Sequence, residues 1–518
     1  MVPLPLILGF AAALLVLRYV LSTWAHSRKA HNLGCSPLTR YPTDIFGIGP
    51  LIDAIKADKS GTLPLILEDR VDLMSSREKR RVKSFSIRQV GRENIFTCDP
   101  ANIQTILATK FKDFELGPAR HKTLHPMLGT GIFTSDGEVW AQSRALLRPQ
   151  FKREQISDLD LEERHLQQAM RALPVDSATG WTSATNIQDV IFRLTIDSAT
   201  EFLFGESSGS QTEALHNGGK LPQDHFTGYF DRGQWYVSQR VRFEKLHWLV
   251  DNKESRYIHH RVHSYVDHFV NKALKAVAEG KPASPNYVFL EALAASTQDP
   301  IELRSQLLNI LLAGRDTTAS LLSWSMLMLA RHPHVFQKLR ENILADFGPY
   351  TPNYDNITFT ALKACRYLQY FMNEVLRLYP SVPVNRRAAV RDTSLPQGGG
   401  PDGKSPVYVR AGQNIIYSVF VMHRQKELFG EDAEVFNPDR WVDRRPGWEY
   451  LPFNGGPRVC LGQQFALTEA GYVLVRFLQR FDSIEDLQPE KDIKYGLTLI
   501  ITPREGVHVR LHEAPTTS

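Results

Sequence analysis

One decapeptide constrains this chain more than any other stretch: Phe453-Asn454-Gly455-Gly456-Pro457-Arg458-Val459-Cys460-Leu461-Gly462. A lone cysteine stands in a glycine-punctuated loop, and an apolar, helix-compatible run follows from Gln463 to Leu467. A thiolate that ligates a metal wants a depressed pKa, which the free N–H groups of a helix N-terminus supply. Gly456 permits backbone angles that a side chain forbids, so amides can turn toward the sulfur. Gly462 lets the backbone press against a flat ligand, and Arg458 offers a planar fork of donors to a carboxylate. Phe453 can shield the sulfur from water. Cys460 is therefore the candidate metal ligand.

This loop resembles the haem-binding signature of the cytochrome P450 family, Phe-x-x-Gly-x-Arg-x-Cys-x-Gly, at all five fixed positions. The resemblance implies a haem b whose iron takes Cys460 as axial thiolate, with Phe453, Gly456, Arg458 and Gly462 around the cofactor. Other parts of the chain support it. Trp140 and Arg144 stand one helical turn apart on one face, and in the family such a pair reaches a haem propionate. Residues 301–331 form the longest apolar-periodic stretch, closed by Pro333. In its middle, Ala313-Gly314-Arg315-Asp316-Thr317-Thr318 matches the family's oxygen-activation motif, Ala/Gly-Gly-x-Asp/Glu-Thr-Thr/Ser. Small residues such as Ala313 and Gly314 leave room for a flat cofactor and a diatomic ligand. Thr317 shares a face with Ala313, and its hydroxyl can bond back to a carbonyl, open the helix locally and hold water. Asp316 can relay protons. Asp316 and Thr317 are the catalytic candidates.

Residues 366–379 read as another helix, ended by Pro380, on which Glu374 and Arg377 can pair at i, i+3. Its apolar neighbours suggest burial, where such charges must be paired. The resemblance implies that Arg440, in Asn437-Pro438-Asp439-Arg440-Trp441, completes a Glu-Arg-Arg cluster bracing the cysteine loop. Arg387 is a further propionate partner, with Arg386 competing for that place.

The N-terminus reads as a membrane anchor. Residues 2–17 are uncharged and mostly aliphatic, and the apolar character continues through Leu21. About twenty helical residues rise about 30 Å, enough to cross a bilayer core. Arg18 can snorkel, and Arg28, Lys29 and Arg40 follow, which puts the body of the protein on the cytosolic side. The expected organisation is an anchor over 1–22, an irregular linker over 23–49 and a catalytic domain over 50–518. Cys35, Cys98, Cys365 and Cys460 are scattered with no CxxC pair, fitting a reducing environment. A net charge of +5 over 518 residues argues against a nucleic-acid binder and suits an anionic membrane surface or an acidic partner. Residues 84–98 read as a hairpin through Val90-Gly91-Arg92-Glu93-Asn94. Residues 205–222 read as a flexible surface loop, and Arg148, Lys152 and Arg153 as a basic helix end that either receives an acidic redox partner or is a plain solvated face.

The resemblance covers nearly all of the chain past the anchor. It implies a mostly α domain with a smaller β-rich part, the cytochrome P450 fold, preceded by one transmembrane helix. Residues 232–261 would then be lid helices over the substrate pocket. Residues 116–133 and the helix face around Leu311, Ala313 and Leu321 are candidates to line it. No room remains for a flavin domain, so electrons would come from a separate NADPH-cytochrome P450 reductase. The other implied partners are O2, a hydrophobic small-molecule substrate and membrane lipid, with the chain held in the endoplasmic reticulum membrane. Three stretches, FNGGPRVCLGQQFALTE, AGRDTTASLLSW and LPQGGGPDGKSPVYVRAGQNIIYSVFVMHR, look like the fungal alkane- and fatty-acid-hydroxylating branch. Terminal or near-terminal hydroxylation of a long aliphatic chain is the implied reaction. A hydroxylase tailoring a fungal secondary metabolite is the alternative. The intact Ala313–Thr318 motif counts against a haem-thiolate isomerase or dehydratase, and NADPH consumption with reductase present separates a monooxygenase from that and from a turnover-free haem sensor.

Overall fold

Residues 3–152, 159–280 and 288–515 are described in the structure, a computed structural model; Arg153 of the basic helix end lies outside them. In the N-terminal part the helices are α1 (Leu4–Asn32), α2 (Gly49–Ser60), α3 (Leu65–Glu78), α4 (Pro118–Leu128) and α5 (Gly137–Leu147). The middle of the chain supplies α6 (Ile187–Phe204), α7 (Ser210–His216), α8 (Phe226–Phe243), α9 (Lys253–Ala278) and α10 (Pro300–Arg331). α11 (Arg366–Leu378) and α12 (Gln463–Arg480) complete those that bear on the site. The strands used below are β1 (Ser84–Gln89), β2 (Arg92–Thr97), β3 (Phe114–Glu115), β4 (Val384–Ala389), β5 (Thr393–Gly399), β6 (Ser405–Val409) and β7 (Asn414–Ser418). Near the C-terminus lies a short hairpin, β8 (Tyr495–Leu497) with β9 (Ile501–Pro503).

α10 is the spine. The Asp299 carboxylate accepts the N–H groups of Ile301 and Glu302, and Pro300 occupies the first turn, so the start is fixed. Its two ends belong to different hydrophobic cores. Leu303 to Leu312 pack with residues of α8, α9 and α4, whereas Ala319 to Ala330 pack with α11, α12 and the sheet. The five-stranded sheet has the order β1-β2-β7-β4-β3, with β2 parallel to β7 and the other pairs antiparallel.

Two expectations need correction. The segment expected to be irregular from Trp24 is helical to Asn32, because no proline or glycine stands between Trp24 and Gly34, whose φ of +63° turns the chain. The end of α1 is also tied down, with Lys29 pairing with Asp392 at 2.6 Å. The stretch 205–222 contains α7, whose first turn is held by the Asp197 carboxylate accepting the N–H groups of Ser210 and Gln211, each at 2.8 Å. The hairpin of β1 and β2 forms as expected. Among the described residues, no helix is long and apolar enough to cross a membrane.

Candidate active site

The two cores meet at one place along α10, and the cysteine loop sits on the same seam. Phe453 and Leu467 pack against one core, Leu461 and Phe465 against the other. α10 shows the seam plainly. From Ser305 to Ala330 every residue is buried except Ala313, Gly314 and Thr317. A Cβ added at Gly314 would meet nothing within 4 Å. A helix closed on all sides elsewhere thus opens at three small residues onto an internal cleft.

Cys460 is surrounded by protein yet keeps an exposed side chain, as a group facing such a cleft must. Its N–H donates to the Phe453 carbonyl at 3.0 Å, which closes the loop on itself. Gly456 has φ of +65°, and a Cβ there would lie 1.9 Å from the Leu107 carbonyl oxygen. That contact, with the π-helical turn Thr105–Thr109, is the reason for a glycine. Gly462 leads into α12, and its N–H bonds the Cys460 sulfur; a Cβ there would only touch the Phe151 ring at 3.5 Å. The pKa differs from expectation. Burial pushes the Cys460 thiol above its ordinary value, outweighing the Gly462 N–H and the Arg144 charge that both favour the thiolate. Coordination to a metal would complete the deprotonation that these two groups begin.

Beside the loop lies a cluster of five guanidiniums, Arg120, Arg144, Arg386, Arg387 and Arg458, with two carboxylates, Asp136 and Glu115. Arg458 donates to Asp136 at 2.6 Å and lies 4.3 Å over the Trp140 ring. Its Nε has no hydrogen-bond partner among the described residues. Arg144, one turn along α5, is 5.9 Å from the same ring. Burial and the neighbouring cations pull Arg120 and Arg458 down to about 10. Arg386 and Arg387 both reach the cluster from β4, and Arg387 is the more buried, 5.7 Å over the Tyr417 ring. Arg120 was not singled out from sequence. It reaches the cluster from α4, donating to the Phe133 carbonyl at 3.0 Å and to Asn385 at 3.2 Å. No motif surrounds it; only its place in the expected pocket segment pointed that way.

On α10 the Thr317 hydroxyl donates to the Ala313 carbonyl at 2.6 Å, as expected, but the helix stays α-helical there rather than opening. Its own carbonyl accepts from the Ser381 hydroxyl at 3.2 Å. Asp316 is buried and pairs with Arg315 at 2.8 Å, while Arg315 also reaches Asp231 of α8. Burial and then the Asp231 charge raise the Asp316 carboxyl to about 6, against the opposing pull of Arg315.

Glu374 and Arg377, both with no exposed surface, pair through two bonds of 2.8 Å. Glu374 also accepts from the Asn437 N–H at 2.9 Å, Trp441 Nε1 at 3.0 Å and Arg440 Nε at 3.4 Å. Arg377 donates to the carbonyls of His423, Ala433 and Val435. The route from this cluster to the cysteine loop was missed from sequence: it is His423. Leu451 N–H donates to its Nε2 at 2.9 Å, which leaves Nδ1 to donate to the Arg377 carbonyl at 3.2 Å. Burial and the Arg377 charge hold its pKa at about 3, so the ring is neutral and the bridge keeps this tautomer.

These residues fit a haem: a thiol on an internal cleft, a helix face stripped of side-chain bulk, and an excess of buried guanidiniums suited to two propionates. Comparison with known proteins agrees. A family model described as cytochrome P450 matches residues 61–510. Cytochrome P450 monooxygenase g430 of a Fusarium species is 48% identical over 500 residues, spanning 94% of this chain and 86% of its own length. Cytochrome P450 52A13 of Debaryomyces hansenii is 44% identical, spanning 94% of this chain and 93% of its own. The crystal structure of the cytochrome P450DA heme domain superposes with a TM-score of 0.72 over 93% of this chain and 97% of that one. At 20% identity that likeness bears on the fold alone.

Proposed function

This chain belongs to the cytochrome P450 family, and from that premise we propose a membrane-tethered monooxygenase that hydroxylates a long aliphatic chain at or near its terminal carbon. The substrate class is an n-alkane or a fatty acid, and electrons come from NADPH through a separate reductase. The chain is thus a haem-dependent oxidoreductase acting with O2 on a hydrophobic substrate. The aliphatic substrate rests on the resemblance of its three stretches to the alkane- and fatty-acid-hydroxylating branch. Residues 1–22 serve as anchor in the endoplasmic reticulum membrane, with the domain of residues 50–518 in the cytosol. The observation that carries the chemistry is the opening of α10 at Ala313, Gly314 and Thr317, on the seam that also holds Cys460.

Bound haem supplies the oxidising chemistry, the activation of O2 and insertion of one oxygen atom into a C–H bond. The chain supplies the rest. Cys460 would hold the iron, favoured as thiolate by the Gly462 N–H and the Arg144 charge. Arg458, Arg387, Arg120 and Arg144 would hold the propionates, and Trp140 backs Arg458 and Arg144. Ala313 and Gly314 keep the α10 face clear. Asp316, raised to about 6, holds a proton it can release near neutral pH, and the Thr317 hydroxyl stands next to it in sequence, held by Ala313. Glu374, Arg377 and Arg440 brace the loop from behind.

The test is the spectral shift of the purified ferric protein titrated with lauric acid, hexadecane and a polycyclic control. A saturable low-spin to high-spin shift with the aliphatic compounds alone is the expected result. No shift with either, in protein that still gives the thiolate-type CO spectrum, would refute the aliphatic substrate and move the reading to a secondary-metabolite hydroxylase.

A further inference from the structure

A proline inside a helix leaves one carbonyl without its helical partner, and α4 contains such a proline, Pro126. Pro126 carries no N–H, so the Lys122 carbonyl one turn back loses its hydrogen bond and is pushed outward by the ring. Arg240 of α8 fills the gap. Its Nη2 donates to the Lys122 carbonyl at 2.6 Å and its Nε to the Thr123 carbonyl at 2.9 Å. Its Nη1 reaches the carboxylate of Asp251, which stands just ahead of α9. Arg240 is 3% exposed, whereas the Asp251 side chain is 35% exposed. The cation is thus buried against α4 while its counter-ion lies at the surface. A second tie joins the same helix to α9, where His263 Nε2 donates to the Met127 carbonyl at 2.8 Å.

α4 and α8 are fixed to different walls of the Cys460 cleft. α4 carries Arg120 into the guanidinium cluster. Just beyond it, the Ser135 carbonyl and the Asp136 carboxylate accept from Arg458 of the cysteine loop at 3.2 and 2.6 Å. α8 rests on α10 beside the opening at Ala313, Gly314 and Thr317: Asp231 pairs with Arg315, and Gln234 reaches Asp316. From Asp231 to Arg240 the helix rises about 13 Å, which carries it from α10 across to α4.

We propose that Arg240 is a latch: seated in the socket that Pro126 makes, it closes α8 onto α4 over the cleft, and its release opens the way for substrate and product. Release costs little on either side. The Lys122 carbonyl passes to water, and Arg240 keeps the Asp251 carboxylate, which already faces solvent. A helix without the proline offers no such socket, because its inner carbonyls are taken by its own N–H groups. Arg240 is a positioning residue, in contact with neither the thiol nor the α10 opening, and it sets how fast the cleft exchanges its contents. The latch rests on the reading of the Cys460 cleft as the haem and substrate site, and on no particular substrate.

Stopped-flow binding of phenylimidazole to the ferric holoenzyme, read from the Soret band, tests the latch. CO rebinding to the ferrous protein after a flash is the small-ligand control, and thermal melts run alongside. Arg240→Met keeps the bulk of the side chain and removes its donors. It is expected to raise the on- and off-rates of phenylimidazole together by at least about tenfold, the loss of one charge-assisted hydrogen bond from the closed state. Their ratio should change little, and the CO rates not at all. Pro126→Ala returns an N–H to the Lys122 carbonyl and is expected to speed exchange as well, while its Tm stays level or rises. Wild-type exchange rates in both variants would overturn the latch. So would exchange that follows Tm, faster in Arg240→Met and slower in Pro126→Ala, since Arg240 would then only hold the fold together. CO rates that rise as far as those of the larger ligand would also overturn it, marking a loosened haem pocket. A wild-type protein whose Soret band answers neither ligand removes the cleft reading, and the latch with it.

Discussion

Substitution of Glu374 by glutamine tests whether the buried Glu374–Arg377–Arg440 cluster acts as a brace. The amide matches the carboxylate in shape, so no cavity forms. Its NH2, however, faces the Arg377 fork whichever way the amide turns, because each carboxylate oxygen accepts from Arg377 at 2.8 Å, and one of them also accepts from Trp441 Nε1 at 3.0 Å. A donor is set against a donor, and Arg377 is left as a buried cation without its counter-ion. Breaking a buried pair from one side costs about 3–5 kcal/mol. Spread over a chain of this size, that is a Tm fall of roughly 5 °C. Haem retention should fall with it, because His423 links Arg377 to Leu451, two residues before Phe453. Thermal melts and haem content per protein are the assay. The double variant Glu374→Gln/Arg377→Met should melt above the sum of the two singles, since removing both charges removes the uncompensated one. A Glu374→Gln protein with wild-type Tm and full haem content would refute the reasoning.

Further expectations concern the loop and α10. Gly456→Ala must displace the Leu107 carbonyl, 1.9 Å from the new Cβ, at a positive φ; it should express without haem, whereas Gly314→Ala, with open space around its Cβ, should fold with unchanged or slightly higher Tm and altered ligand titrations. Cys460→Ala should abolish the red-shifted CO band; a retained band would remove Cys460 as ligand. Thr317→Ala should change stability by no more than about 1 kcal/mol yet divert NADPH electrons from product to hydrogen peroxide, and unchanged coupling would refute its role in proton delivery. Asp316 gives a pH prediction. A carboxyl raised in the fold from 3.8 to about 6 contributes stability below pH 4 and loses it as pH climbs through 6. Melts of wild type against Asp316→Asn should therefore converge or cross between pH 4 and 7, with wild type losing up to about 3 kcal/mol relative to the variant. Parallel profiles would show that Asp316 does not titrate in that range.

The features legible in sequence were those whose reason is local. The apolar period and Pro333 place α10 to within a residue, and the i, i+3 spacing of Glu374 and Arg377 foretells their pairing. What was not legible depends on parts of the chain far apart. Gly456 is a glycine because of the Leu107 carbonyl, some 350 positions away. Arg120 joins the guanidinium cluster only because β4 and the Phe133 turn converge on it. His423 reads as an ordinary polar residue until Leu451 and Arg377 are seen on its two nitrogens. The irregular reading of 23–32 and of 205–222 fails for a related reason: Pro37 and Pro42 after the one, and Gly, Ser and Asn in the other, signal loop, but α1 meets no breaker between Trp24 and Gly34 and α7 is capped by Asp197 from α6.

The central sheet has a consequence for how the protein comes into being. β2 ends at Thr97, and its parallel partner β7 begins at Asn414. At translation rates of about 5–20 residues per second, the first hairpin waits on the order of tens of seconds for the strand that covers its open edge. During that interval the backbone of residues 92–97, including Ile95 and Phe96 of the later core, is an unpaired edge able to join another chain. The nascent protein therefore depends on shielding in time as much as on stability once complete, and its yield should respond to chaperone supply and to the pace of synthesis between those two strands.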